Sequence, residues 1–264
     1  MKIADIINFW KDYVPDGWEH TCDLLHYGDP GKEVRKAAVC FKITHANLTE
    51  ALAWGADLLI THEPLYPRYD GKMPSEEKVP VVRRMHERLT ESGVGVFRLH
   101  DHAHLYKEDF IHQGFLKKTG LEVKTAHPPM RLGFRKYELA RPYTTAEIAR
   151  ITREKLNIPQ PRIAGCTDVP LTRIVLALGG IGEIGYDVLT STDTELLITG
   201  EIGELGSAFY ANEAAAAGET KAFLVLGHCE SERYGMEALA DRFGELCPSV
   251  KVRYFDTADT YRYV

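Results

Sequence analysis

Residues 222–243 read AFLVLGHCESERYGMEALADRF. A short apolar run has the length and make-up of a buried strand, and no linker separates it from a stretch of helical period. Where the strand stops stand a histidine, a thiol and two carboxylates, among them His228 and Glu232. A spacing of four places those two ligand-type side chains on one helical face, at the mouth of the helix.

The same strand-then-helix order runs outward from this stretch. KIADIINFWKDY reads as an opening helix, KAAVCFKI as a strand, NLTEALAWG as a helix ended by Gly55, and ADLLITH as a strand. VPVVRRMHERLTESG, with Gly93 as its C-cap, and VGVFRLH repeat the pair. After Pro142 come the helix TTAEIARITREKL, the strands TRIVLALGG and ELLITG, the helix SAFYANEAAAAG, then AFLVLG, the helix SERYGMEALADRF and the strand VKVRYFD. HPPMRLGFRKYELARPY, from His127, carries prolines at both ends and breaks the rhythm, which puts a lobe boundary there. The expected fold class is α/β in two lobes, residues 1–126 with 225–264 forming the first and 127–224 the second. ADLLITHEP and TELLITGEI echo each other across the lobes.

Bulk properties narrow the class. The chain has 264 residues, 44% hydrophobic and 27% charged, the profile of an ordinary globular protein with one large core or two modest ones. No apolar run is long enough for a bilayer, and the N-terminal stretch lacks a signal-peptide cleavage pattern, so a cytoplasmic protein without membrane association is expected. The five cysteines show no CxxC spacing and read as reduced core residues. A net charge of -6 gives no basic footprint for nucleic acid.

Chemistry gathers where strands end, because in open parallel sheets those ends open onto a common crevice. ADLLIT runs into His62 and Glu63, VGVFRL into HDHAH (residues 100–104), and AFLVLG into His228 with Glu232 beyond. In an extended segment His100, His102 and His104 would share one face while Asp101 points away. His20, His26, His45, His86, His112 and His127 lack strand-end context and read as structural or surface residues. The glycine pair at Gly179 reads as a tight turn or as backbone N–H donors to an anion.

ITHEPLY, VGVFRLHDHAH and GHCESERYGMEALADRF together resemble the Nif-three-like family, the GTP cyclohydrolase I type 2 homologues, with its ITHHPL, HTNLD and GHxxTERxGxxAL motifs. The resemblance spans nearly the whole chain and implies two α/β lobes with a metal cleft between them, two divalent ions and a homohexamer. It makes His62, His228 and Glu232 metal ligands. Two positions depart from the pattern: Glu63 stands for the family's second histidine and His104 for the aspartate closing HTNLD. The set His62, Glu63, His104, His228 and Glu232 keeps the family's three imidazoles and two carboxylates, so the paired exchange conserves ligand charge. The alternates are Asp101, His102 and His100. Nitrogen and oxygen donors suit zinc, manganese, iron, cobalt or nickel. Glu232 is expected in the first turn of its helix, where the dipole keeps it ionised.

A dinuclear hydrolase of a small metabolite, nucleotide-like or phosphorylated, is the function this implies, with Asp101, Glu201 and Glu230 as candidate acid/base groups. The alternative is a metal-binding adaptor or metal-handling protein whose ions are structural. No GxxxxGK[ST] loop is present, and TGEIGELG has Glu204 and Leu205 where the family commonly has two histidines.

Overall fold

The computed structural model describes residues 1–12, 21–66, 79–105, 109–191, 193–201 and 204–264. In chain order the elements begin with α1 (Ile3–Asp12), β1 (Leu25–Tyr27), β2 (Lys36–Cys40), α2 (His45–Trp54), β3 (Leu58–Thr61) and α3 (Pro80–Ser92). Next come β4 (Gly95–Arg98), α4 (Asp101–Leu105), α5 (Phe110–Thr119), β5 (Val123–Arg131), β6 (Phe134–Tyr143), α6 (Thr145–Lys155) and β7 (Arg162–Gly165). The chain continues with β8 (Leu171–Gly180), α7 (Ile184–Thr190), β9 (Leu196–Glu201), α8 (Ser207–Ala216), β10 (Ala222–Val225), α9 (His228–Leu246) and β11 (Lys251–Tyr254).

These elements form two α/β units, Met1–Phe110 with Met236–Ala258, and Ile111–Gly235 with Asp259–Val264. The chain thus passes from one unit to the other at the start of α5 and inside α9, and His228 and Glu232 belong to the second unit rather than to the expected first lobe. The expected boundary at His127 falls inside β5, where prolines do not end the sheet. β5 is the edge strand of its sheet, and an edge strand tolerates residues that cannot donate to a ladder on both sides.

The first unit holds a sheet ordered β1-β4-β3-β2-β11. β2, β3, β4 and β11 are mutually parallel, and only β1 runs antiparallel. Leu58, Leu59 and Ile60 of β3 are all buried, which explains a strand that reads as a continuous apolar run. α2 starts at Thr44, whose side chain accepts from Asn47 while Asn47 bonds back to Thr44, and ends at Gly55. α1 buries Ile3, Ile6 and Trp10, and the Trp10 ring meets Phe110 and Phe243 edge-on at 5.8 and 5.5 Å. Each such side chain contributes about 1.5–3 kcal/mol of transfer free energy.

The second unit holds a sheet ordered β5-β6-β8-β9-β10-β7, with β8, β9 and β10 parallel at its centre. β5 and β6 form an antiparallel hairpin, and β7 pairs antiparallel with β10 at the other edge. A capping box between Thr144 and Glu147 opens α6. The N-terminal part of α9 passes close to α5, since a Cβ on Gly114 would lie 2.2 Å from the Tyr234 carbonyl oxygen and 2.5 Å from the Gly235 Cα.

That approach sets two effects against each other. Alanine is a better helix former than glycine by about 1 kcal/mol, whereas forcing a methyl into backbone typically costs about 1–3 kcal/mol. No side chain can move aside to relieve the contact, so the clash wins. Gly114→Ala is expected to lower unfolding free energy by about 1–2 kcal/mol, read by urea denaturation, and a stabilised variant would contradict the close approach.

Candidate metal centre

In the first unit β3 and β4 are parallel neighbours, with Thr61 paired to Arg98, so their carboxyl ends deliver His62 and His100 side by side. The two rings stack with centroids 4.4 Å apart. The next segment is not extended but forms the short helix α4, which corrects the one-face reading of HDHAH. Helical spacing puts His104 on the same face as His100, with ring centroids 5.2 Å from His100 and 5.1 Å from His62. His102 is turned elsewhere, its Nδ1 2.6 Å from Asp23 Oδ2. The ligand atoms of His62, His100 and His104 lie within 4.8 Å of one another.

What makes this cluster a donor set is where the protons sit. His62 Nδ1 lies 3.2 Å from the Leu99 carbonyl, His100 Nδ1 2.8 Å from Asp101 Oδ1, and His104 Nδ1 3.3 Å from Asp109 Oδ2. A carbonyl or carboxylate can only accept, so each Nδ1 carries a proton, and in the neutral ring the lone pair then sits on Nε2. This is the arrangement that orients metal-ligating histidines. Burial first, then the neighbouring imidazoles, push His62 well below the usual histidine range, so it stays neutral near pH 7. Three crowded imidazoles fit a divalent cation.

Glu63 Oε1 stands 3.9 Å from His100 Nε2, at the edge of the cluster. Asp101 is turned away from it toward Cys22, accepting from the Cys22 N–H at 2.9 Å and facing Cys22 Sγ at 3.4 Å. Burial raises the Asp101 carboxyl, but hydrogen bonds from His100 and the Cys22 backbone outweigh it and hold the group below the usual carboxylate range. An acid so depressed is an anchored anion at neutral pH, a role different from proton transfer. Burial pushes the Cys22 thiol up to about 12.

Asp23 and Asp109 were invisible in the sequence. Asp23 Oδ1 accepts the N–H groups of His100 and Asp101 at 2.6 and 2.9 Å, and Oδ2 accepts that of His102 at 2.9 Å. It thereby caps α4 from more than seventy residues away, a distance at which no local pattern signals it. Asp109 adopts φ +25°, an uncommon backbone for a non-glycine residue, while its carboxylate holds His104.

In the second unit β10 ends before His228, and α9 begins there rather than at Ser231. Glu232 is therefore past the first turn, where Glu230 is the acidic residue. His228 Nδ1 is 2.8 Å from Glu201 Oε1 at the end of β9, and His228 Nε2 is 3.3 Å from Glu232 Oε2. His228 thus has a carboxylate at each ring nitrogen, Glu201 at Nδ1 and Glu232 at Nε2. Gly179 ends up against both ligand-type groups: a Cβ there would lie 2.4 Å from Glu232 Oε1 and 2.9 Å from His228 Nε2, and its φ of +73° favours glycine. Its N–H donates to Ser231 Oγ at 3.0 Å, so the anion-nest reading of the glycine pair gives way to a structural bond. Glu230 Oε1 meets Arg233 at 3.5 Å and the Thr260 N–H at 3.4 Å, which makes it an anchor for the C-terminal segment. Glu204 is exposed, 3.9 Å from Arg162, and Leu205 is exposed beside it. Of the histidines read as structural, His86 meets Tyr27, His112 meets Tyr137 and His45 meets Arg88, while His20 lies outside the described residues.

Residues 1–260 match the family described as Duf34/NIF3 (NGG1p interacting factor 3), and the chain belongs to that family. It is 24% identical over 220 residues to the GTP cyclohydrolase 1 type 2 homolog of Clostridium perfringens, covering 78% of this chain and 82% of that one. Against the protein of the same name from Pseudomonas aeruginosa it is 26% identical over 242 residues, 89% of this chain and 86% of that one. A Bacillus cereus protein related to NIF3 superposes with a TM-score of 0.77 at 12% identity, over 100% of this chain and 99% of that one, and at that identity the likeness speaks for the fold. Family membership and the clustered donors together support metal binding.

If Asp23 holds α4 in place, Asp23→Ala should cost about 2–3 kcal/mol, the range of a charged hydrogen bond. Zinc affinity should fall with it, because the cap is what brings His100 and His104 together. Calorimetric titration beside denaturant melts reads both, and unchanged zinc affinity would separate the cap from the histidine cluster.

Proposed function

We propose that this Duf34/NIF3 family member is a metal-dependent hydrolase of a small metabolite, with His62, Glu63, His104, His228 and Glu232 as ligands for two divalent ions and His100 added to the first set. The observation that carries this reading is the anchoring of His62, His100 and His104 through Nδ1, which gives each ring a fixed acceptor and aims its Nε2. Each cluster also has a solvent-reachable member: the His100 and His228 side chains retain 23% and 21% of their exposure. Catalytic sites keep such openings, whereas structural zinc sites are closed.

Bound divalent ions supply Lewis acidity and a more acidic water. The chain's own part is to hold the rings: Leu99, Asp101 and Asp109 orient the imidazoles of the first unit, and Glu201 orients His228. Glu201, half exposed at the end of β9, is the favoured proton-handling group, since Glu230 is committed to Arg233 and Asp101 to Cys22. The relatives' name places a guanine nucleotide among the first compounds to screen, alongside small phosphorylated and cyclic metabolites.

A cytoplasmic homohexamer completes the proposal. All five cysteines are thiols, in keeping with a reducing compartment, and no helix among the described residues is long and apolar enough to cross a membrane. Leu205 and Phe209 stand 87% and 59% exposed near Tyr186, at 44%, on the second unit, a surface that association would cover. Light scattering at micromolar concentration is expected to give six times the chain mass, and a monomer at every salt concentration would end the idea.

Glu232→Gln separates catalysis from a purely structural role for the ions. Turnover is expected to fall on the order of 100-fold or more, with only a small change in melting temperature, and a chelator should do the same to the wild type. A collapse of the melting temperature, with no activity toward any screened compound in the wild type, would favour the adaptor reading.

A further inference from the structure

Beside the three-histidine cluster the first unit carries a second, chemically different donor set. Cys22, His100 and Asp101 present ligand atoms within 4.8 Å of one another. Cys22 Sγ and Asp101 Oδ1 are 3.4 Å apart, and His100 Nδ1 is 2.8 Å from the same oxygen. A tetrahedral cation with bonds of about 2.0–2.3 Å needs donors about 3.3–3.8 Å apart, so the sulfur–oxygen edge already has that length. The nitrogen–oxygen edge would have to open by well under about 1 Å.

We propose that Cys22, His100 and Asp101 form a second cation position in the first unit, selective for a zinc-class ion. It rests on the metal-binding reading only in sharing His100, which turns Nδ1 to this set and Nε2 toward Glu63. The set contributes one sulfur, one nitrogen and one oxygen, whereas the neighbouring cluster contributes imidazole nitrogen alone. Thiolate in a mixed set selects zinc, cobalt or ferrous iron over magnesium and calcium, which prefer oxygen. Binding replaces the S–H and Nδ1–H protons by bonds to the ion: the thiol proton leaves to solvent and the imidazole proton moves to Nε2, on the side of Glu63, so that His100 then serves this ion instead of the first set. Asp101 exchanges its role as acceptor of those two hydrogens for a direct bond to the cation, so no buried charge is left without a counter-charge.

Sequence position explains why the site escapes a motif search. Cys22 lies ahead of β1, and it meets Asp101 only because its own N–H donates to that carboxylate while the adjacent Asp23 caps α4. Two successive residues of one segment therefore dock onto the start of one helix, and the thiol is carried into place by that docking.

The test is titration of metal-free protein with cobalt(II), comparing wild type with Cys22→Ala. Wild type is expected to develop a near-ultraviolet thiolate-to-cobalt band and to take up one more equivalent than the variant. The visible bands of nitrogen and oxygen coordination should survive in the variant. Uptake of cobalt with the same near-ultraviolet spectrum and stoichiometry in both proteins would overturn this site and leave the metal-binding reading standing. Failure of the wild type to take up cobalt would overturn both. Should Cys22→Ala not fold, iodoacetamide labelling of wild-type Cys22 with and without zinc decides: at least tenfold slower labelling with zinc is expected, and equal rates overturn the proposal.

Discussion

A single buried carboxylate, that of Asp23, is the constraint on which the histidine cluster depends. It is surrounded by donors: the backbone N–H groups of His100, Asp101 and His102 and the His102 ring nitrogen, all at 2.6–2.9 Å. A carboxylate without such partners would be costly to bury, and a helix start left without acceptors would be costly too. Each removes the other's penalty. The helix concerned, Asp101–Leu105, is far too short to persist by its own propensity, because nucleation outweighs the few bonds it gains. Its existence follows from the cap, and the meeting of His100 with His104 follows from the helix.

A second layer of the same logic fixes the protons. An imidazole offers one lone pair when neutral, and which nitrogen bears it is decided by the acceptor at the other. Three different acceptors, the Leu99 carbonyl and the carboxylates of Asp101 and Asp109, make the same choice at three histidines of the first unit, whereas His228 has a carboxylate at both ring nitrogens. Agreement at all three is hard to attribute to packing, which is indifferent to ring nitrogen identity. It is the expected outcome where Nε2 of each ring has a common task.

How much of this was legible depends on range. The strand ends carrying His62, His100 and His228 were readable because parallel strands buried on both faces leave continuous apolar runs, and the residues after such a run sit at the sheet's carboxyl edge. Helix α4 was not, since five residues are too few to show a helical period and HDHAH alternates as an extended strand would. The hairpin Val123–Tyr143 was masked by Pro128 and Pro129, which signal a break locally but are accommodated on an edge strand. Asp23 and Cys22 belong to contacts that span the first hundred residues, and nothing within reach of a periodicity argument connects them to residue 101.

The stretch Gly227–Gly235 owes its specificity as much to packing as to chemistry. Gly227 has φ +106° and lies under Glu230, Ser231 receives the Gly179 N–H, Arg233 pairs with Asp259, and Gly235 lies where α9 passes Gly114. His228 and Glu232 are the imidazole and carboxylate that meet each other there, at 3.3 Å. Every other named side chain there is committed to a fixed neighbour, so drift at any of them would disturb the placement of those two. Glu63 stands at the edge of its cluster, and Asp109 holds His104. Those are the two positions at which the sequence departs from the motifs it otherwise resembles. Any chemistry particular to this chain is therefore to be sought around the first unit's histidines, where Cys22 and Glu63 alter the donors.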